Sequence, residues 1–141
     1  MIGVMVPSVW SFTVTDYEGY LNAVKNMNEN LQESLDIEYQ NLQDGKISLS
    51  EYIVITEVAS SQVTTKISEF VTSKPSDKWL ESYINHMNGM KKFNEYIVET
   101  RVLANQMENG SSDDEILQTV KRADSIKAEF IEYFTNSEKL R

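Results

Sequence analysis

Apolar residues recur at steps of three and four along most of the chain. The first series comprises Tyr17, Tyr20, Leu21, Val24, Met27, Leu31, Leu35, Tyr39 and Leu42. Because an α-helix turns once every 3.6 residues, this spacing places the side chains on one stripe of a helix. Three similar series follow, so the sequence predicts four long amphipathic helices, over about residues 16–42, 49–72, 77–108 and 113–137.

Short breaks separate the four series. Asp44-Gly45 and Asn109-Gly110 are turn dipeptides, and Pro75 ends the second series because the residue before proline avoids the helical conformation. Ser48 and Ser112, each followed by glutamate three positions later, are typical helix N-caps. Short connections make neighbouring helices antiparallel. The predicted fold is therefore all-α, an antiparallel up-down-up-down four-helix bundle.

Residues 1–14 carry no charge and follow a different pattern. Trp10, Phe12 and Val14 alternate with polar residues, a period of two that indicates an extended segment, and Pro7 opposes a continuous helix. We expect an extended N-terminal segment followed by the bundle over residues 15–141. The pattern leaves two interpretations open: a strap packed on the bundle, or the remnant of a removed signal or membrane anchor.

The net charge of the chain limits the classes of partner that it is expected to bind. The 141 residues carry a formal net charge of −9. Such an acidic chain repels phosphate backbones, so no nucleic-acid partner is expected. No stretch approaches the ~20 consecutive apolar residues of a membrane-spanning helix, so no membrane insertion is expected of the chain as given. The compartment stays open between cytoplasmic and extracytoplasmic, since a chain without cysteine folds on either side of a membrane.

Few residues are suited to catalysis or metal binding. The chain has no cysteine and one histidine, His86, which we expect on the flank of the third stripe. A di-iron bundle needs Glu-x-x-His pairs, but Tyr83 stands at the glutamate position. The sequence contains no nucleophile elbow and no phosphate-binding glycine loop. We therefore expect no catalytic residue, no metal ligand and no cofactor.

Residues 44–51 resemble the second half of an EF-hand calcium loop, with an acid before glycine and the closing Glu51. However, Gln40 and Leu42 stand where the first two carboxylates of that loop would be. Calcium would lack those oxygen ligands. We interpret the segment as a glycine turn followed by a capped helix.

Small and hydroxyl residues interrupt the second stripe at its midpoint, over residues 59–65. In an antiparallel bundle this level faces methionines of the first and third helices, and methionine suits adaptable apolar pockets. The sequence predicts a cavity for a small apolar ligand there, lined by Met27, Ser60, Val63, Met87 and Met90. The alternative is that Ser60 and the neighbouring hydroxyl residues face water, and that Val63 points into a filled core.

These features favour a non-catalytic interaction or sensor-like module, extracytoplasmic or not, that binds a small ligand between helices. The alternative is a cytosolic scaffold or assembly subunit that acts through helix–helix contacts with a protein partner or with itself. Apolar residues off the main stripes would then form the partner surface: Ile55, Val58, Val98, Val102 and Ile131. A metal-dependent bundle enzyme is a remote third interpretation, because histidine and cysteine ligands are missing.

Overall fold

The computed structural model describes residues 14–72 and 75–140, with side chains from Tyr17 onward in the first helix. Four α-helices and a 3₁₀ turn account for most of these residues, and no strand occurs among them. The helices are α1 (Val14–Gln43), α2 (Leu49–Thr72), α3 (Leu80–Glu108) and α4 (Asp113–Lys139), and the 3₁₀ turn (Asp77–Trp79) leads directly into α3. The predicted all-α four-helix bundle is confirmed.

The helix ends lie within two residues of the predicted bounds when the 3₁₀ turn is counted with α3. The extended segment predicted for residues 1–14 lies outside the described residues except for Val14. Val14 is the first residue of α1, so the prediction of extended chain was wrong at this position. Helix boundaries commonly vary by one or two residues, because the terminal turns of a helix fray.

The predicted cap of α2 is present in the structure. Ser48 Oγ accepts a hydrogen bond from the Glu51 N–H at 3.1 Å, and Glu51 Oε1 accepts one from the Ser48 N–H at 3.2 Å. Gly45 has φ of +73°, a left-handed conformation that glycine adopts without steric cost. The segment that resembles half an EF-hand is thus a turn and a capping box, in which the Glu51 carboxylate binds the backbone.

The closest helix pair is α3 and α4, and small side chains explain the approach. Ser82 Oγ donates to the Ser137 carbonyl at 2.8 Å, and Ser137 Oγ donates to the Ser82 carbonyl at the same distance. Seven residues further along α3, Gly89 lies against the ring of Phe134. The helices α2 and α3 also pack closely, α1 contacts α2 over a smaller part of its length, and α1 and α4 are not packed closely along their length.

The core is built from the predicted stripes of all four helices. Its side chains are apolar and aromatic, and their removal from water stabilises the fold. The largest fully buried members are Tyr17, Leu21, Val24, Tyr52, Val63, Phe70, Met90, Phe93, Ile97 and Phe130.

Candidate functional site

The residues predicted to line a central cavity lie at the middle of the bundle. Val63 and Met90 are fully buried, and Met27 and Met87 pack half-buried against the same cluster. Ser60 donates its hydroxyl hydrogen bond to Asn94 Oδ1 on α3. The structure therefore brings four of the five together within packed core, and Ser60 faces the neighbouring helix. Ligand binding by these five residues stays a prediction from the sequence.

The open seam between α1 and α4 contains a different cavity, of about 240 Å³. We call it the α1–α4 groove. Its position follows from the packing of the bundle, because α1 and α4 are the neighbouring helices that do not approach closely. It is lined by Lys25, Asn28, Glu29, Gln32, Phe93, Phe130, Ile131, Phe134, Thr135 and Glu138.

Aromatic rings form the inner wall of the α1–α4 groove. The ring centroids of Phe93 and Phe130 are 5.2 Å apart, and those of Phe130 and Phe134 are 6.0 Å apart. Such distances are typical of favourable aromatic pairs. The wall is continuous with the core, since the Phe134 ring lies 5.0 Å from that of His86.

His86 is a core residue, so the expectation that it lies on the flank of the stripe was wrong. Its side chain is 3% exposed, and its ring stacks on Phe70 with an interplanar angle of 14°. The hydropathy pattern treats histidine as polar, but an imidazole ring between two phenylalanine rings packs as an aromatic side chain.

Asn28 differs from the other residues of the groove lining because its side-chain amide is buried without a hydrogen-bond partner. It is 4% exposed, and neither Nδ2 nor Oδ1 of its amide has a hydrogen-bond partner. A buried polar group without a partner costs about 1–3 kcal/mol of stability, and native proteins keep few of them. The groove therefore borders a polar group whose hydrogen-bonding capacity is unused within the described fold.

The sequence held a signal for Asn28 that the hydropathy pattern missed. Tyr17, Leu21, Val24, Asn28, Leu31 and Leu35 follow one another at alternating steps of four and three. That is the spacing of core positions in packed helices, and asparagine there is a polar residue inside a core. Hydropathy assigns Met27 to the predicted stripe because its side chain is apolar. In the structure Met27 is half-buried at the edge and Asn28 takes the central position.

Charged side chains surround the mouth of the groove. Lys25 of α1 forms an ion pair with Glu138 of α4, and both side chains are nearly half exposed. Glu29, one turn further along α1, adds a second exposed carboxylate. An exposed ion pair contributes about 0–1 kcal/mol, so Lys25 and Glu138 hold the two helices together only weakly.

A second cavity, of about 290 Å³, lies further along the same seam. Its lining is rich in tyrosine, from Tyr39, Tyr52 and Tyr96. The Tyr39 hydroxyl donates to Met107 Sδ at 3.4 Å. Burial raises the pKa of Tyr96 to about 12, with smaller contributions from the carboxylates of Asp36 and Asp124. Burial also raises the pKa of Tyr52 and of Tyr39.

Because of these tyrosines, the free energy of unfolding is expected to fall as the pH rises above about 10. Unfolded tyrosines ionise near pH 10, whereas burial raises the folded-state pKa of Tyr96 to about 12 and also raises those of Tyr20, Tyr39, Tyr52 and Tyr83. Between these pH values the folded state retains protons that the unfolded state has lost. The stability present below pH 10 is therefore lost as the pH passes through the folded-state pKa values.

Ultraviolet absorbance of tyrosinate and circular dichroism, followed together in an alkaline titration, measure this effect. The absorbance of the buried tyrosinates should rise together with the loss of helical signal. Ionisation of every tyrosine near pH 10 in a fully helical protein would contradict the expectation.

The apolar residues predicted off the main stripes lie mostly at the surface. Val58, Val98, Val102 and Ile131 are between about a third and a half exposed, and Ile55 packs against the core. Ile131 belongs to the lining of the α1–α4 groove. Part of the surplus apolar surface therefore lies at the candidate site.

Within residues 14–72 and 75–140, no three side chains among histidine, aspartate and glutamate are grouped so that they could hold a metal ion. None of the helices formed by these residues combines the length and the apolarity that a bilayer span requires.

Comparisons of the chain with protein-family models, with curated proteins and with solved structures found no match.

Proposed function

We propose that this chain is a non-catalytic helical-bundle module that binds a small, largely apolar ligand in the α1–α4 groove. The observation that carries the proposal is a concave groove of about 240 Å³ whose inner wall is formed by the rings of Phe93, Phe130 and Phe134. A concave, mostly apolar site with a few polar groups is the usual form of a small-molecule site.

The other groups in the groove support binding rather than chemistry. Nucleophilic catalysis needs a nucleophile beside a base that activates it. The titratable groups of the groove lining are Lys25, Glu29 and Glu138, and the lysine is engaged in an ion pair with Glu138. The remaining side chains of the lining are aromatic, aliphatic, amide and threonine side chains, and such a surface suits the binding of an apolar ligand.

The position of the groove supports a sensor-like or interaction role. A ligand between α1 and α4 would contact two helices that are otherwise joined weakly, so it would bias their separation. Because the bundle alternates direction, Val14 at the start of α1 and Lys139 at the end of α4 lie at the same end of the molecule. A change in the separation of α1 and α4 would therefore alter the spacing of these two helix ends and could be sensed by a partner bound there.

Nuclear magnetic resonance titration with toluene tests the proposal. Toluene is an apolar probe of suitable size, because an apolar cavity of about 150 Å³ holds benzene. We expect saturable shifts of the backbone amides of Phe130, Ile131 and Phe134. The variant Thr135→Trp, which places a large ring at the groove, should abolish these shifts.

Thr65→Trp on α2 is the matched control, because Thr65 is exposed and outside the groove lining. It should leave the toluene shifts unchanged. Shifts confined to the methyl groups of Met27, Met87 and Met90 would move the site to the centre of the bundle and contradict the groove. Shifts that are absent or spread evenly over the surface would overturn ligand binding.

A further inference from the structure

The second cavity along the seam has an apolar floor and aromatic walls. We call it the tyrosine cavity, after Tyr39, Tyr52 and Tyr96 in its lining. Leu35 and Ala123 also belong to the lining and are buried, so the inner part of the cavity is apolar. Tyr39 and Tyr96 are half-buried, and part of each side chain is accessible to a ligand. The volume of about 290 Å³ exceeds the roughly 150 Å³ of a cavity that holds benzene.

Two carboxylates lie at the mouth of the tyrosine cavity, one on each side of the seam. Asp36 of α1 and Asp124 of α4 belong to the lining, and both side chains are exposed. Burial has the largest effect on the pKa of Tyr96, but both carboxylates also raise it, which places them near its hydroxyl group. Within residues 14–72 and 75–140, neither carboxylate forms an ion pair. Two such charges beside one cavity attract a positively charged ligand.

Lys127 and Arg101 approach the tyrosines of the cavity but lie outside its lining. Lys127 Nζ lies 5.9 Å from the centroid of the Tyr96 ring, within the range of a favourable cation–π contact. Arg101 Nε donates to Thr56 Oγ1 at 2.9 Å, which holds the guanidinium on the α2 side of the bundle. Even with Lys127 counted, the two carboxylates at the mouth leave a net negative charge at the cavity.

The combination of apolar floor, aromatic walls and acidic mouth discriminates between kinds of organic cation. A primary ammonium group is compact and strongly hydrated, and its three N–H donors need acceptors that an apolar floor does not supply. A quaternary ammonium group has no N–H donor, and its charge is spread over methyl groups. These methyl groups pack against apolar side chains and tyrosine rings, while nearby carboxylates balance the charge.

We propose that the tyrosine cavity binds an organic cation of the quaternary ammonium class, with the rings of Tyr39 and Tyr96 against its methyl groups and the two carboxylates at the mouth balancing its charge. The net charge of the chain, −9, also favours association with a cation over an anion. The linings of the tyrosine cavity and of the α1–α4 groove share no residue. The inference therefore goes beyond the proposed function and does not depend on it.

Choline and 3,3-dimethylbutan-1-ol test the contribution of charge, because they have nearly the same shape and carbon replaces the quaternary nitrogen in the alcohol. Ethanolamine, the primary ammonium counterpart of choline, tests the contribution of the methyl groups. Dissociation constants are measured by nuclear magnetic resonance from shifts of the backbone amides of Asp36, Ala123 and Asp124. Choline should bind about tenfold more tightly than either of the other two probes, and added salt should weaken its binding.

The double variant Asp36→Asn/Asp124→Asn removes both charges of the mouth with little change of shape. It should lower the ratio of dimethylbutanol to choline dissociation constants by about fivefold, as expected for two exposed charge pairs. Glu33→Gln/Glu57→Gln is the matched control, because it removes the same charge from two exposed side chains outside the lining. The control should retain the ratio of the unsubstituted protein.

Each other outcome overturns a stated part of the inference. Equal binding of choline and dimethylbutanol would overturn the cation. Binding of ethanolamine as tight as that of choline would overturn the quaternary class. If the glutamate control weakens choline binding as much as the aspartate variant, the attraction is that of the whole acidic chain and the cavity is overturned. Choline that leaves the three cavity amides unshifted would overturn the site, whatever toluene does at the α1–α4 groove.

Discussion

Asn28→Leu is expected to raise the free energy of unfolding of the ligand-free protein by about 1–3 kcal/mol. Asn28 is 4% exposed, and its unfolded-state amide is hydrated whereas its folded-state amide has no partner. Leucine has a similar size and removes that desolvation cost, and it adds apolar surface at a core position between Val24 and Leu31. Most single substitutions destabilise a protein, so a gain of this size would be diagnostic.

Urea denaturation followed by circular dichroism measures the effect. An unchanged slope of the free energy of unfolding against urea concentration would indicate that the fold is unchanged. Asn30→Leu, two residues away on the exposed face of α1, is the matched control and should change stability by less than about 0.5 kcal/mol. A loss of stability in Asn28→Leu would show that the amide makes favourable bonds in the folded protein, which would contradict the absence of a partner for Asn28.

Gly89→Ala is expected to lower the free energy of unfolding by about 1–3 kcal/mol, the usual cost of overpacking a core. A Cβ atom at this position would lie 2.5 Å from Phe134 Cε1 and 2.6 Å from Cδ1, well inside van der Waals contact. The ring cannot yield freely, because the rings of His86 and Phe130 lie 5.0 and 6.0 Å away from it. The clash outweighs the gain of about 0.5–1 kcal/mol that alanine brings inside a helix.

Gly19→Ala provides the matched control for this substitution. Gly19 is also within a helix, but a Cβ atom there would meet no other atom within 4 Å. It should therefore stabilise the protein by about 0.5–1 kcal/mol. Gly89→Ala should lower the free energy of unfolding less in a Phe134→Leu background than in the unsubstituted protein, since the smaller leucine side chain relieves the clash.

Gly89 also connects the packing of the bundle to the groove. The Phe134 ring that covers Gly89 is part of the groove wall. A ring displaced by the alanine methyl would change the shape of the groove, so Gly89→Ala should weaken toluene binding as well as stability. An unchanged toluene affinity in a destabilised variant would show that the Phe134 ring moves away from the groove.

Much of the fold could be predicted from residue order because the signals are local. Periodic apolar residues, the serine-glutamate pairs at Ser48 and Ser112, and the glycines Gly45 and Gly110 each act within a few residues. Each depends on backbone geometry that repeats in every helix. The helix bounds are correspondingly close to those observed.

The candidate site could be predicted much less well, because it depends on which helix pairs approach closely. Hydropathy marks Met27 as a core residue and His86 as a flank residue, whereas the structure places Asn28 and His86 inside. The register between helices decides these positions. Ser82 and Gly89 bring α3 and α4 close together, whereas the α1 side chains that line the groove beside α4 are larger: Lys25, Asn28, Glu29 and Gln32.

Four helices joined by short turns can be predicted from the order of residues, since helix formation and termination depend on neighbours along the chain. The open seam between α1 and α4, and the unpaired amide of Asn28 beside it, follow from how the four helices pack together. Burial and hydrogen-bond satisfaction are properties of groups brought together from distant positions. They depend on how all four amphipathic helices pack into one core, and the pattern along a single helix does not contain that information.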